Sequence, residues 1–117
     1  SNVEKIHEFF ETYAIYYDNY MEIASIVLNY EELLHNVGTR EIISTCIEER
    51  NRFLLQLIGD AIEAGEINQT FTAMELKCIL MGIIRCQLMD RRTTYHSETL
   101  KSEVMESVDK ILMLVKK

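Results

Sequence analysis

A chain of 117 residues with 12 Lys and Arg against 19 Asp and Glu carries a net charge of −7, which argues against nucleic acid as a direct partner, because phosphate binding needs clustered cations. No apolar run approaches the roughly 18 uncharged residues of a membrane span. The three cysteines, Cys46, Cys78 and Cys86, form no CxxC pair, and Cys78 and Cys86 would lie about 12 Å apart on one helix, too far for a disulfide. The expectation is a single domain, 1–117, soluble and cytoplasmic with reduced thiols and no membrane contact.

With no proline, four glycines and 48% hydrophobic residues, helices are expected throughout. Ser1-Asn2 matches the remnant of a cleaved purification tag, which would make the sequence a piece of a longer protein. From Val3 to about Leu34, Ile6, Phe10, Tyr13, Tyr17, Tyr20, Ala24 and Leu28 recur at three- and four-residue steps and share one helical face. Asp18-Asn19 is a candidate break that would divide this stretch into two helices. His35-Asn36-Val37-Gly38 reads as a turn, and Thr39 then serves as N-cap with Glu41 in the first turn of the next helix. That helix runs to about Ala64, where Gly65 supplies the left-handed residue that closes it. In Phe71-Thr72-Ala73-Met74-Glu75-Leu76, Thr72 and Glu75 form a capping box while Phe71 and Leu76 are spaced as a hydrophobic staple. The helix they open extends to about Asp90. A polar connection, Arg91 to His96, leads to Ser97 as cap of a last helix ending near Val115. The paired cations Arg91-Arg92 and Lys116-Lys117 both fall at expected helix ends, where cations are ordinary.

Between Ala73 and Met89 the apolar residues go all the way round, so this helix is expected to be covered on every side. The last helix carries Leu100, Val104, Val108, Ile111, Leu112 and Val115 on one stripe, with Met105, Met113 and Leu114 outside it. A symmetric partner contributing the same two helices would hide the surplus in a four-helix interface; packing within one chain is the alternative. The interface expectation falls on Leu76, Leu80, Ile83, Ile84, Met105 and Leu112.

In this order the stretches IHEFFETYAIYYDNYMEIASIVLNYEELL, EERNRFLLQLIGDAIEAGEI and TAMELKCILMGIIRCQLMD, followed by an amphipathic closing helix, resemble the C-terminal ligand-binding and dimerisation domain of the tetracycline-repressor (TetR) family of bacterial transcriptional regulators. The family's xxAxxxGxI helix ending is matched here by Asp60-Ala61-Ile62-Glu63-Ala64-Gly65-Glu66-Ile67. The resemblance implies an all-α antiparallel bundle of five helices, within a range of four to six, that dimerises through its last two helices. It also implies a small-molecule effector held among the helices of each subunit, and DNA binding by an N-terminal helix-turn-helix that these residues do not include.

The candidate effector lining comes from the aromatic first helix and the helices that follow Thr39 and Thr72. Phe10, Tyr13 and Tyr17 would give an amphipathic aromatic wall, and Met81 and Met89 adaptable ones; core packing is the competing role for all five. Arg50 falls on a stripe with Ile43, Ile47, Leu54 and Ala61, and Arg85 falls among Met74, Cys78, Met81, Gly82 and Met89. An inward arginine needs a partner. Glu49, Asp60, Asp90, a tyrosine hydroxyl or an anionic ligand would each serve. The ligand-binding set is therefore Phe10, Tyr13, Tyr17, Arg50, Leu54, Met81, Arg85 and Met89, with no cofactor.

Two other classes compete. A plain helical interaction module would bind a partner protein through its apolar surplus and contain no cavity. A di-iron bundle enzyme would use Glu4-x-x-His7 and Glu32-x-x-His35, which have the spacing that puts two ligands on one helical face. Such a site needs two further inward Glu, and His7 and His35 flank the apolar stripes. The three histidines, including His96 in the polar connection, are expected at the surface. No phosphate-cradling glycine loop, GxSxG or zinc spacing is present, and no catalytic or metal residue is assigned.

Overall fold

A computed structural model describes residues 1–20 and 34–117. Four α-helices and no strand are found among them: α1 (Asn2–Asn19), α2 (Arg40–Glu63), α3 (Ala73–Asp90) and α4 (Leu100–Val115). The all-helical expectation holds. The helix expected between Asn19 and Leu34, with its stripe residues Ala24 and Leu28, falls in 21–33, outside the described residues.

Local chemistry sets most of the boundaries. α1 opens with a capping box in which the Ser1 hydroxyl accepts from the Glu4 amide (3.2 Å), and it ends at Asn19, at the polar pair Asp18-Asn19. Before α2, the Asn36 side chain accepts from the Gly38 amide (2.8 Å) while its carbonyl accepts from the Arg40 amide (2.9 Å), an Asx-type turn. Thr39 stands at the N-cap of α2 with its hydroxyl donating back to the Asn36 carbonyl (3.4 Å). Gly65, at φ 76°, closes α2: its amide donates to Ile62 O (3.1 Å) and that of Glu66 to Ala61 O (2.9 Å), the paired bonds of a Schellman ending. The Thr72–Glu75 capping box of α3 forms in both directions, at 3.1 and 2.9 Å, with Phe71 half-buried against the core and Leu76 fully buried.

The start of α4 departs from expectation. Thr99, not Ser97, is the N-cap, accepting from the Ser102 amide at 3.1 Å. The physical reason lies on another helix. Asp18, in the last turn of α1, accepts from the Leu100 and Lys101 amides at 2.9 Å each, so its carboxylate satisfies the exposed donors of α4 and complements the positive end of its dipole.

α1 packs against α2 and α4, and α3 against the same two helices. The core is built from Ile6, Phe10, Ala14 and Tyr17 of α1, Leu54, Ile58 and Ala61 of α2, Leu76, Leu80, Ile84 and Leu88 of α3, and Leu100, Val104, Val108, Leu112 and Val115 of α4. Each fully buried Leu or Ile contributes about 1.5–3 kcal/mol of transfer free energy. The α2–α3 connection ties the chain ends together: Asn68 N donates to Val115 O (2.8 Å) and Lys117 N to Glu66 O (3.1 Å). The Glu66 side chain accepts from the Asn2 and Val3 amides (3.2 Å each) and from Asn2 Nδ2 (2.8 Å), serving α1 as Asp18 serves α4.

Within the single chain the apolar surplus of the last two helices is only partly covered. α3 is not covered on every side within one chain. Leu76, Leu80, Ile84 and Leu88 make a single buried stripe, whereas Met74 and Met89 are about half exposed and Cys78 and Cys86 lie at the surface. One face of α3 meets α2 and α4, and the surplus on its other faces consists largely of Met and Cys. On α4, Met105 joins the core although it lies off the expected stripe, while Met113 and Leu114 remain three-quarters exposed.

Candidate functional site: a cationic groove between two helices

A groove of about 280 Å³ lies between α2 and α3, with buried Tyr17 of α1 in its wall. From α2 it receives Arg50 and Asn51; α3 supplies Lys77, Cys78, Met81 and Gly82, and one turn further Ile84, Arg85 and Leu88. Helical geometry explains the selection from α3. Lys77, Met81 and Arg85 are four apart and stack on one face, with Cys78 and Gly82 beside them. The apolar wall consists of Tyr17, Met81, Ile84 and Leu88, the first, third and fourth of which are buried with their other flank in the core. Lys77 and Arg85 stand at the outer edge, while Arg50, whose Nε is buried, also lines the inner void described next; no Asp or Glu lines the groove among the described residues. At 280 Å³ the space sits near the lower end of the usual range for small-molecule sites, about 300–1,000 Å³.

The groove narrows toward the aromatic cluster of α1. A void of about 10 Å³ lies among Phe9, Phe10, Tyr13, Tyr17, Arg50, Met81 and Ile84, room for roughly one water. Edge and tilted ring contacts close this end: Phe9–Phe10 at 5.1 Å, Phe9–Tyr13 at 4.9 Å and Tyr13–Tyr17 at 6.1 Å between centroids. Two further, more open depressions lie along the polar face of α2, one from Glu48 to Glu63 and one from Val37 to Glu48.

The ligand set expected from sequence is thus partly assembled. Tyr17, Arg50, Met81 and Arg85 line the groove together. Phe10 and Tyr13 belong to the nearly filled aromatic end. Leu54 is fully buried in the core, and Met89, 55% exposed, lies outside the groove. Arg85 is not inward as its apolar neighbours implied; it is exposed at the rim. Two of the acids expected to pair with the arginines have other partners: Asp60 accepts from Gln56 (2.9 Å) and Asp90 faces His96 (2.7 Å). Of the residues assigned to an interface between copies, Leu76, Leu80, Ile84, Met105 and Leu112 are buried within the single chain and Ile83 is half-buried. Asn51, Lys77, Cys78, Gly82 and Leu88 line the groove outside the expected ligand set, as does Ile84, expected at the interface; the signal for Lys77 is its i, i+4, i+8 register with Met81 and Arg85.

His35 is exposed as expected, whereas His96 and His7 are more engaged than surface residues. His96, with a side chain 13% exposed, puts Nδ1 at 2.8 and 2.9 Å from the two Glu103 oxygens and Nε2 at 2.7 Å from Asp90. Arg91 joins through Glu103 at 3.2 Å and donates to the Glu98 carbonyl at 2.8 Å. The Glu103 hydrogen bond, aided by Asp90 and opposed by desolvation and Arg91, raises His96 above its ordinary pKa. His7 is raised as well: desolvation opposes its charge, and bonds to Asp109 (2.7 Å) and Glu11 (3.3 Å) outweigh it. Glu66 is lowered, chiefly by the Val3 amide, against desolvation and with help from Asn2. These groups brace helix ends and crossings. Glu4 is used in the cap of α1, and Glu32 lies outside the described residues. No cluster of three His, Cys, Asp or Glu suited to a metal ion occurs among the described residues, nor is any of their helices long and apolar enough to cross a membrane.

Comparison with known proteins returns no matching family model, no matching curated protein and no matching solved structure.

Proposed function

We propose that this chain is the effector-binding and dimerising domain of a transcriptional regulator resembling the tetracycline-repressor family, with DNA contact made by a helix-turn-helix outside these 117 residues. The observation that carries the reading is the groove: three helices converge on a small concave space with an apolar wall of Tyr17, Met81, Ile84 and Leu88 and a few polar groups at its rim, the composition of a site that holds a small molecule. The order of elements supports it: an aromatic first helix, a second helix closed by Gly65, a capped third helix and an amphipathic fourth. Binding there would bias the relative placement of α2 and α3, and a ligand shifts a conformational equilibrium only by its differential affinity for the two arrangements. A second copy is proposed on the outer side of α3 and α4, where Met113 and Leu114 stand exposed.

A thermal-shift screen of small molecules tests the groove. A ligand at one hundred times its Kd stabilises the fold by about 2.7 kcal/mol, and Met81→Trp, which fills the groove, should abolish that gain without lowering the ligand-free Tm by more than a few degrees. Light scattering after gel filtration tests the dimer, with Met113→Glu and Leu114→Glu expected to leave a monomer. A screen whose hits stabilise the wild type and Met81→Trp equally contradicts the effector reading and favours an interaction module.

A further inference from the structure

We infer that the connection between α3 and α4 is a proton-operated clasp, in which His96 ties the end of α3 to the first turn of α4 as an imidazolium and releases α3 when it becomes neutral. Nδ1 of the ring faces both carboxylate oxygens of Glu103 on α4, at 2.8 and 2.9 Å, and Nε2 faces Asp90, the last residue of α3, at 2.7 Å. An ionised carboxylate only accepts, and a neutral imidazole carries one N–H and one lone pair. Only the doubly protonated ring donates on both sides at once; the neutral ring holds a lone pair against a carboxylate on one of them. The chain rests on this junction, because the Asp90 carbonyl accepts from the Thr93 and Thr94 amides (3.2 and 3.0 Å) in the turn that follows α3.

The surroundings decide which side lets go. Glu103 of α4, Asp90 of α3 and Arg91 at the C-cap of α3 are the ionisable groups that act on the ring among the described residues. Asp18 of α1, the other acid at the start of α4, is engaged by the Leu100 and Lys101 amides. With His96 protonated the two acids and two cations sum to zero, and loss of the proton leaves one negative charge. The Glu103 side chain, 24% exposed, also holds Arg91 at 3.2 Å, whereas that of Asp90 is 55% exposed and open to water. A neutral ring therefore keeps its proton on Nδ1, toward Glu103, and the bond to Asp90 is the one lost. The Glu103 bond, aided by Asp90 and opposed by desolvation and Arg91, holds the ring above its ordinary 6.5. The clasp is thus closed at pH 6.5 and opens as pH rises through the raised value.

The test is NMR of the full ¹⁵N-labelled chain across pH 5 to 9. Long-range ¹H–¹⁵N spectra of the His96 ring should show the imidazolium at pH 6.5, a midpoint above that value, and a neutral form protonated at Nδ1. Through the same titration, exchange of the Thr93 and Thr94 amides with water, corrected for the intrinsic rate at each pH, should rise roughly three- to ten-fold. The Glu66 amide, bonded to Ala61 O at the end of α2, should show no such rise. Asp90→Asn separates a clasp from a ring that titrates without consequence. Its amide can accept from the imidazolium through Oδ1 or donate to the neutral ring through Nδ2, so the His96 midpoint should fall while exchange at Thr93 and Thr94 stops following pH. A wild-type midpoint at or below 6.5, a neutral ring protonated at Nε2, or Thr93 and Thr94 exchange that stays level through the titration would overturn the clasp. So would an Asp90→Asn chain whose exchange follows pH as the wild type does.

Discussion

Replacing Asp18 with Ala removes a carboxylate that reaches from the end of α1 to the start of α4, and its cost can be worked from the geometry. Two backbone amides, those of Leu100 and Lys101, each lose an acceptor at 2.9 Å. Hydrogen bonds to a charged group are worth roughly 1.5–3 kcal/mol in mutational series, but these donors lie at a partly open helix start where water can replace the carboxylate, so about 1 kcal/mol each is the better figure. A few tenths come back because an acid in the last turn of α1 opposes that helix's own dipole. The net loss is about 1.5–2 kcal/mol. With an unfolding entropy of about 2.1 cal/mol/K per residue, a chain of 117 residues loses about 4 °C per kcal/mol, so Tm should drop by about 6–8 °C. Asp18→Asn keeps one acceptor and turns an NH₂ toward the other amide, so it should cost at least half as much. Urea unfolding monitored by circular dichroism gives the comparison, with the slope against denaturant unchanged. Asp18→Ala within about 0.5 kcal/mol of wild type would refute the argument that this carboxylate caps α4 and fixes where it begins.

Other outcomes follow from single positions. Gly65→Ala should destabilise by about 1 kcal/mol, because the residue must hold a φ of 76° that a Cβ disfavours; Gly82→Ala, inside α3 with nothing within 4 Å of the added Cβ, should stabilise by about 0.5–1 kcal/mol, and urea titration of both checks the opposite signs. The pH profile has two sides with distinct origins. Raised His7 and His96 contribute stability that is fully present below their ordinary value of 6.5 and lost as pH rises through their folded values; lowered Glu66 contributes stability present above 4.5 and lost as pH falls through its folded value. Stability should therefore peak between these limits, with His96→Gln flattening the alkaline fall and Glu66→Gln the acid one, as read by Tm across pH 3 to 9. A profile whose alkaline side is identical in wild type and His96→Gln would contradict the assignment of that ring to Glu103 and Asp90.

The parts of the fold legible from sequence were those that local chemistry decides. Thr72 with Glu75, Gly65 and the Asn36–Gly38 turn each depend on neighbours within a few residues, and each is found where the pattern places it. Ile6, Phe10 and Tyr17 were legible as one face for the same reason. What sequence could not show was long-range. The Asp18 cap spans 82 residues and moved the start of α4 from Ser97 to Thr99; the Glu66 cap spans 63. His96 was placed at the surface because its partners, Asp90 and Glu103, meet it only once the α3–α4 connection folds back. In the groove, Tyr17, Arg50, Met81 and Arg85 follow from helical faces, whereas Lys77 lies beside Cys78 and off the apolar stripe that marks them. The apolar surplus expected to exceed one chain's cover is left at the surface at Cys78 of α3 and at Met113 and Leu114 of α4.

Methionine-methyl NMR tests the central claim most directly. With ¹³C-labelled Met and a probe found by the thermal-shift screen as the titrant, a saturable shift is expected at Met81, which lines the groove, no comparable shift at Met113 or at buried Met105, and only a small one at Met89 beyond its end. A Met81 signal that stays unmoved while the probe binds, or equal shifts at Met81 and Met113, would contradict it.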